Sequence, residues 1–116
     1  MRLDADQNRI QHMLEAALQA MAFVRRRERG DLDTDMQLRL ALLRALEILG
    51  EAASQVSAET REANPQIPWR GVVSTRNRLI HAYFDIDLDI VWTTATQSLP
   101  ELVPKLSAIL EPENPK

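Results

Sequence analysis

The 116-residue chain contains no cysteine. Disulfides and thiolate metal sites are therefore excluded. Glycine occurs three times, while hydrophobic residues make up 45% of the chain. That balance argues for a folded helical protein over a flexible one. No apolar run is long enough to cross a membrane, because Arg, Asp or Glu interrupts each one. The expectation is a cytoplasmic protein with no membrane association. No large basic excess is present either, since the formal net charge is -3. That argues against a surface that coats nucleic acid broadly, but it leaves room for a local basic cleft. The sequence has no internal repeat, Gly-rich phosphate loop, HExxH or paired zinc motif. The length suits one domain, expected over residues 1–111 with a loose tail at 112–116.

What is present is helical periodicity. Residues 1–29 read as a first helix, with Ile10, Met13, Leu14, Ala17, Leu18, Met21 and Val24 on one face. Asp4 or Asp6 is a candidate cap for its start, and Gly30 a candidate stop. Arg25, Arg26, Arg27 and Arg29 suit a helix C-terminus. A second helix is expected from Asp35 to Arg61. Its Leu42, Leu46, Leu49, Ala53 and Val56 keep a 4-3-4-3 seam, widened by Leu38, Ala45 and Ala52. A short connection makes these two an antiparallel hairpin. Gly50 costs about 1 kcal/mol inside a helix, a cost that close approach of another backbone would explain. Glu51 beside it either faces solvent or is partly buried and paired with Arg76, Arg78 or His81.

Pro65 and Pro68 should form a rigid corner. A third helix then starts near Trp69 and is expected to run through Tyr83. Asp85, Asp87 and Asp89 lack the central Gly and terminal Glu of a calcium loop and read as a turn and N-terminal cap for a fourth helix, about 88–110. Pro100 and Pro104 require that helix to bend or break near Ser98. The sum is an all-α protein, an antiparallel four-helix bundle.

The chemistry concentrates in Arg76-Asn77-Arg78-Leu79-Ile80-His81-Ala82-Tyr83. No Asp or Glu occurs from Ala63 through Phe84, so this stretch is locally cationic. On a continuous helix, Asn77 and His81 share a face and Arg76 and Tyr83 lie nearly above one another. A phosphate would fit there, gripped by arginine and approached by histidine. His12, with no acidic or second histidine partner nearby, reads as a surface or boundary residue.

Arg76-x4-His81-x-Tyr83, with Asn77 directly after the arginine, resembles the HepT-like family within the HEPN group of helical domains. Ile67-Pro68-Trp69-Arg70, the run Leu46–Ala52, Asp87-Leu88, Val91-Trp92 and Leu99-Pro100 are similar to that family too. The resemblance implies a metal-independent endoribonuclease, the toxin of a type VII-like toxin–antitoxin pair, with no cofactor. It implies Arg76 and His81 as catalytic groups, Asn77, Glu51 and Arg78 as supporting ones, and Tyr83 as an AMP acceptor. The implied partners are RNA, an MntA-type minimal nucleotidyltransferase antitoxin, and a second copy of the chain facing the active cleft. Higher assembly with the antitoxin is part of the same expectation. A rival reading is a non-catalytic helical module that binds a nucleotide or protein and partners such a nucleotidyltransferase. A third is a plain structural dimer.

Overall fold

Alanine-rich sequence and three- and four-residue apolar spacing produce α1, Leu3–Val24. The computed structural model describes residues 3–82 and 85–111, with side chains for 5–79 and 85–111. Ile10, Met13, Ala16, Ala17, Ala20 and Val24 form the buried face of α1. Leu18, expected on that face, is 46% exposed on its flank. The helix also ends five residues earlier than expected. Arg26, at φ 62°, takes the left-handed turn that Gly30 was expected to take. Gly30 stays right-handed at φ -64° and leads into a single turn, α2, Asp31–Thr34. Two interactions hold this reversal. Leu32 is fully buried, and Arg27 bridges Asp31 at 3.3 Å and Asp35 at 2.7 Å.

The second long helix, α3, is Met36–Ser54. Asp35 caps it, its carboxylate accepting from the Leu38 N–H at 3.0 Å. All eight seam residues are buried as the spacing predicts. The helix stops at Ser54 rather than Arg61, and the reason lies in side chains. Arg61 turns back to donate to the carbonyls of Ala53, Ser54 and Val56, which the broken helix leaves open. A short α4, Ala58–Ala63, then starts from Ser57. Asp6 does not cap α1, because it sits inside that helix and is 3% exposed. Its carboxylate accepts from the Ser57 N–H at 3.1 Å, the Ser57 hydroxyl at 2.7 Å and the Thr60 hydroxyl. The start of α1 is thereby tied to the start of α4, just beyond the end of α3, as an antiparallel α1–α3 pair requires.

The proline corner forms as expected, with Trp69 Nε1 donating to the Asn64 carbonyl at 2.9 Å. The third helix does not run through to Tyr83. It is broken into α5, Trp69–Val73, and α6, Thr75–Leu79. The backbone then becomes β1, Ile80–Ala82, paired antiparallel with β2, Asp85–Ile86. Ile80 pairs with Ile86 and Ala82 with Asp85, with a register shift between them, and the Asp87 N–H closes the hairpin on the Leu79 carbonyl at 2.8 Å.

Asp87 then caps α7, Leu88–Thr93, accepting from the Ile90 N–H at 3.1 Å. A π-turn follows at Thr94–Ser98 and leads into α8, Leu99–Leu110. The expected bend near Ser98 is this turn. Pro100 has no N–H for the Thr96 carbonyl, and its ring crowds that carbonyl. The backbone widens ahead of it, so that the Leu99 N–H bonds the Thr94 carbonyl five residues back.

α1 packs on α3 and α8, and α5 and α6 pack on the other side of α3. The fold is all-α in its packing, with several interacting helices around one apolar core and a small hairpin. Three of the four expected helices are each split in two, and α2 forms in the expected connection, which makes eight α-helices among the described residues.

Candidate active site

Gly50 is where α3 meets the break between α5 and α6. A Cβ built there would lie 3.2 Å from the Val72 carbonyl oxygen and 3.5 Å from that of Val73. The close backbone approach expected from the sequence is therefore real. It seats the first turn of α6 against the outer face of α3, with Arg76 over Glu47.

An open cleft of about 420 Å³ results, lined by Arg44, Glu47, Glu51, Ser54, Arg76 and Asn77 among others. Glu47 Oε2 accepts from Arg76 Nε at 3.0 Å, while Oε1 meets Arg44 Nη1 at 3.2 Å. The Arg76 bond, seconded by Arg44, holds the Glu47 carboxyl below the usual glutamate range against its partial desolvation. The pair is too exposed to contribute much stability, since the Arg76 side chain is 62% accessible. Its importance is geometric. Glu47 takes only the Nε of the guanidinium, and the two Nη groups have no partner among the described residues. They are free for a bidentate grip on an oxyanion.

Asn77 lines the same cleft and is exposed. Glu51 lines it too, but it does not pair with Arg76; Glu47, one turn earlier, has that place. Arg78 is on the opposite side of α6, beside Thr94 and Ser98 of the π-turn. Asn77 and His81 do not share a helical face, because the helix ends at Leu79 and His81 belongs to β1. The His81 side chain and all of Tyr83 lie outside the described residues. His12 is exposed on another flank, near Arg9 and Glu51. Arg27 and Arg29 are held by aspartates, with Arg29 bridging Asp33 at 3.2 Å and Asp89 at 2.7 Å. Among the described residues, no group of three or more His, Asp or Glu side chains is placed to hold a metal ion.

A family profile described as "Ribonuclease HepT-like" matches residues 13–109, a span that includes Arg76, His81 and Tyr83. The chain belongs to the HepT-like ribonuclease family. A relative from Caldanaerobacter subterraneus, provisionally named an RNase, is 36% identical over 104 residues, covering 86% of this chain and 93% of its own. One from Thermococcus cleftensis, provisionally named ribonuclease HepT, is 37% identical over 75 residues, covering 65% and 68%. One from Methanocaldococcus jannaschii, again provisionally an RNase, is 34% identical over 90 residues, covering 78% and 83%. No solved structure shows a significant match.

In this HepT-like chain the residues that sequence reasoning missed are Glu47 and Arg44. A signal for them existed. Arg44 and Glu47 are an i,i+3 ion pair, and Glu47 lies on the same α3 face as Glu51. Which of the two glutamates meets Arg76 depends on where α6 docks along α3, and Gly50 sets that position.

Proposed function

We propose that this HepT-like protein is a metal-independent endoribonuclease and the toxin of a toxin–antitoxin pair. The observation that carries the proposal is the open Arg76 fork, aimed by Glu47 into a cleft five residues before His81 in a chain of this family. In the proposed reaction the RNA 2′-oxygen attacks the adjacent phosphorus and the bond to the 5′-oxygen breaks. A 2′,3′-cyclic phosphate and a free 5′-hydroxyl result. One proton leaves the 2′-OH and one reaches the 5′-oxygen. His81 carries one of these transfers. A second copy of the chain across the cleft supplies a second histidine, so one acts as base and the other as acid. Arg76 stabilises the charge that builds on the phosphoryl oxygens. Asn77 holds the phosphate or orients His81, and Glu51 and Arg78 support the strand around them.

Tyr83, two residues beyond His81, is the proposed acceptor of AMP from a minimal nucleotidyltransferase of the MntA type. Its phenol oxygen would take the adenylyl group from ATP, releasing pyrophosphate. A bulky anion beside the cleft then repels RNA.

Cleavage of RNA in EDTA by wild type, and its loss in His81→Ala, is the deciding test. The same samples are then incubated with the nucleotidyltransferase and ATP, and peptides containing Tyr83 are weighed. Cleavage that vanishes in EDTA alone sinks the metal-free chemistry. Partner and nucleotide binding with no cleavage in any sample makes the protein a binding module instead.

A further inference from the structure

A second opening lies on the other side of α6 from the Arg76 cleft. It is a slot of about 270 Å³ with aliphatic walls from Pro68, Val72, Leu99 and Leu102. Its exposed polar groups are Arg78 and Ser98, which also line an adjoining hollow of about 250 Å³. Thr94 lines both spaces.

Thr94 is the unusual residue here. It is 6% exposed, yet its hydroxyl makes no hydrogen bond among the described residues. Two other helical threonines behave conventionally. Thr75 donates to the Gly71 carbonyl at 3.1 Å, and Thr96 donates to the Trp92 carbonyl at 2.8 Å. Thr94, the first residue of the π-turn, makes no such bond among the described residues. Its oxygen is not sealed from solvent, and the residue lines both the slot and the hollow beside it. Gly71 keeps a second wall low, since a Cβ there would meet nothing within 4 Å. A glycine inside a helix at a position with free space costs about 1 kcal/mol that packing does not require.

The chemistry of the slot is selective. At 270 Å³ it falls just under the roughly 300–1,000 Å³ of drug-sized pockets, so it suits one flat ring system. Apolar walls suit the faces of a ring, and the Thr94 hydroxyl, unlike that of Thr75 in the same lining, has no bond of its own to compete with a hydrogen-bonding edge. Arg78 supplies a cation with no partner among the described residues. Asp89, in the outer hollow, is already held by Arg29 at 2.7 Å. A base splayed from single-stranded RNA has this combination of faces, edge and neighbouring anion.

We propose that the slot between α5 and the π-turn is a nucleobase subsite, with Thr94 meeting the base edge and Arg78 the adjoining phosphate. The ligand class rests on the ribonuclease reading. Arg76 and Arg78 lie on opposite sides of α6, so a bound strand crosses that helix. Its scissile phosphate sits in one opening and a flanking base in the other. Sequence preference at that flanking position then comes from the slot.

The test uses the full chain and a short 2′-fluoro RNA, which binds but has no attacking hydroxyl. Backbone amides of Gly71, Val72 and Thr94 should shift on titration. Gly71→Leu fills the slot from an open position without unfolding the helix, and it should weaken binding at least tenfold. Thr94→Val removes only the hydroxyl and should flatten the base preference of cleavage on ordinary RNA. Shifts confined to Arg76 and Asn77, equal affinity in Gly71→Leu, or no binding at all would overturn the subsite. The two readings fail separately. Slot binding without cleavage of ordinary RNA leaves the subsite standing and removes the ribonuclease. Cleavage with an unchanged base profile in both variants does the reverse.

Discussion

Glu47 of α3 and Arg76 of α6 meet through Oε2 and Nε at 3.0 Å, twenty-nine residues apart in sequence. Arg44 holds the other carboxylate oxygen at 3.2 Å. The carboxylate is thus held by Arg44 as well as by Arg76, and the outer fork of Arg76 has no partner among the described residues. Glu47 is a positioning residue in this arrangement.

Glu47→Gln should lower cleavage by about ten- to a hundredfold, the range of roughly 1.5–3 kcal/mol for a hydrogen bond to a charged group. The loss should appear in kcat with KM little changed, and Glu47→Asp should recover part of it. Arg76→Ala should cost more, about 10²–10³ in kcat, as for loss of one group that stabilises a developing oxyanion. Steady-state kinetics on one RNA decide this. A Glu47→Gln enzyme with wild-type kcat would show that Arg76 needs no support.

Gly50→Val should destabilise the fold by about 1–3 kcal/mol, the usual cost of overpacking. Its Cβ alone would sit 3.2 Å from the Val72 carbonyl oxygen, and that oxygen belongs to backbone. The docking of α6 shifts with it, so cleavage should fall further than the loss of folded protein explains. Urea denaturation and activity per folded molecule test the two parts separately. A variant as stable and active as wild type contradicts the close approach.

Asp6→Ala should cost about 1–3 kcal/mol, because the Ser57 N–H and two hydroxyls lose an acceptor in a partly buried place. The effect should be on stability alone, since Asp6 joins the α1 and α4 ends and lines none of the openings described above. A shift in the urea midpoint at unchanged kcat is the expected result. Unchanged stability would show that water replaces the carboxylate freely.

Stability should fall in acid. The Arg76 bond depresses Glu47, the Arg27 bond depresses Asp35, and the Glu28 N–H depresses Asp31. Each group is held below its unfolded value, so its contribution is present above that value. It is lost as pH falls through about 4 and below. All three carboxylates are partly exposed, so each effect is small. Arg27→Gln should flatten the dependence, because it removes a partner shared by Asp31 and Asp35. Thermal melts from pH 7 to pH 3 measure it, and an identical slope in Arg27→Gln would refute the assignment.

Sequence alone determined the helical class, the α3 seam, the proline corner, an aspartate cap before the last helical segment and the bend before Pro100. Each follows from local rules of spacing, capping and proline geometry that act within a few residues. The Gly50 contact was also legible, because a helical glycine with no local reason points to a neighbour. Only tertiary structure decided that α6 stops at Leu79, since a hairpin with Ile86 competes with helix there and wins through a bond between residues 79 and 87. Only it chose Glu47 over Glu51 for Arg76, because both glutamates lie on one face of α3 and the choice depends on where α6 lands. Spacing within a helix reports neighbours on that helix; the partner of a side chain across a packed junction depends on backbone docking, which no local pattern encodes.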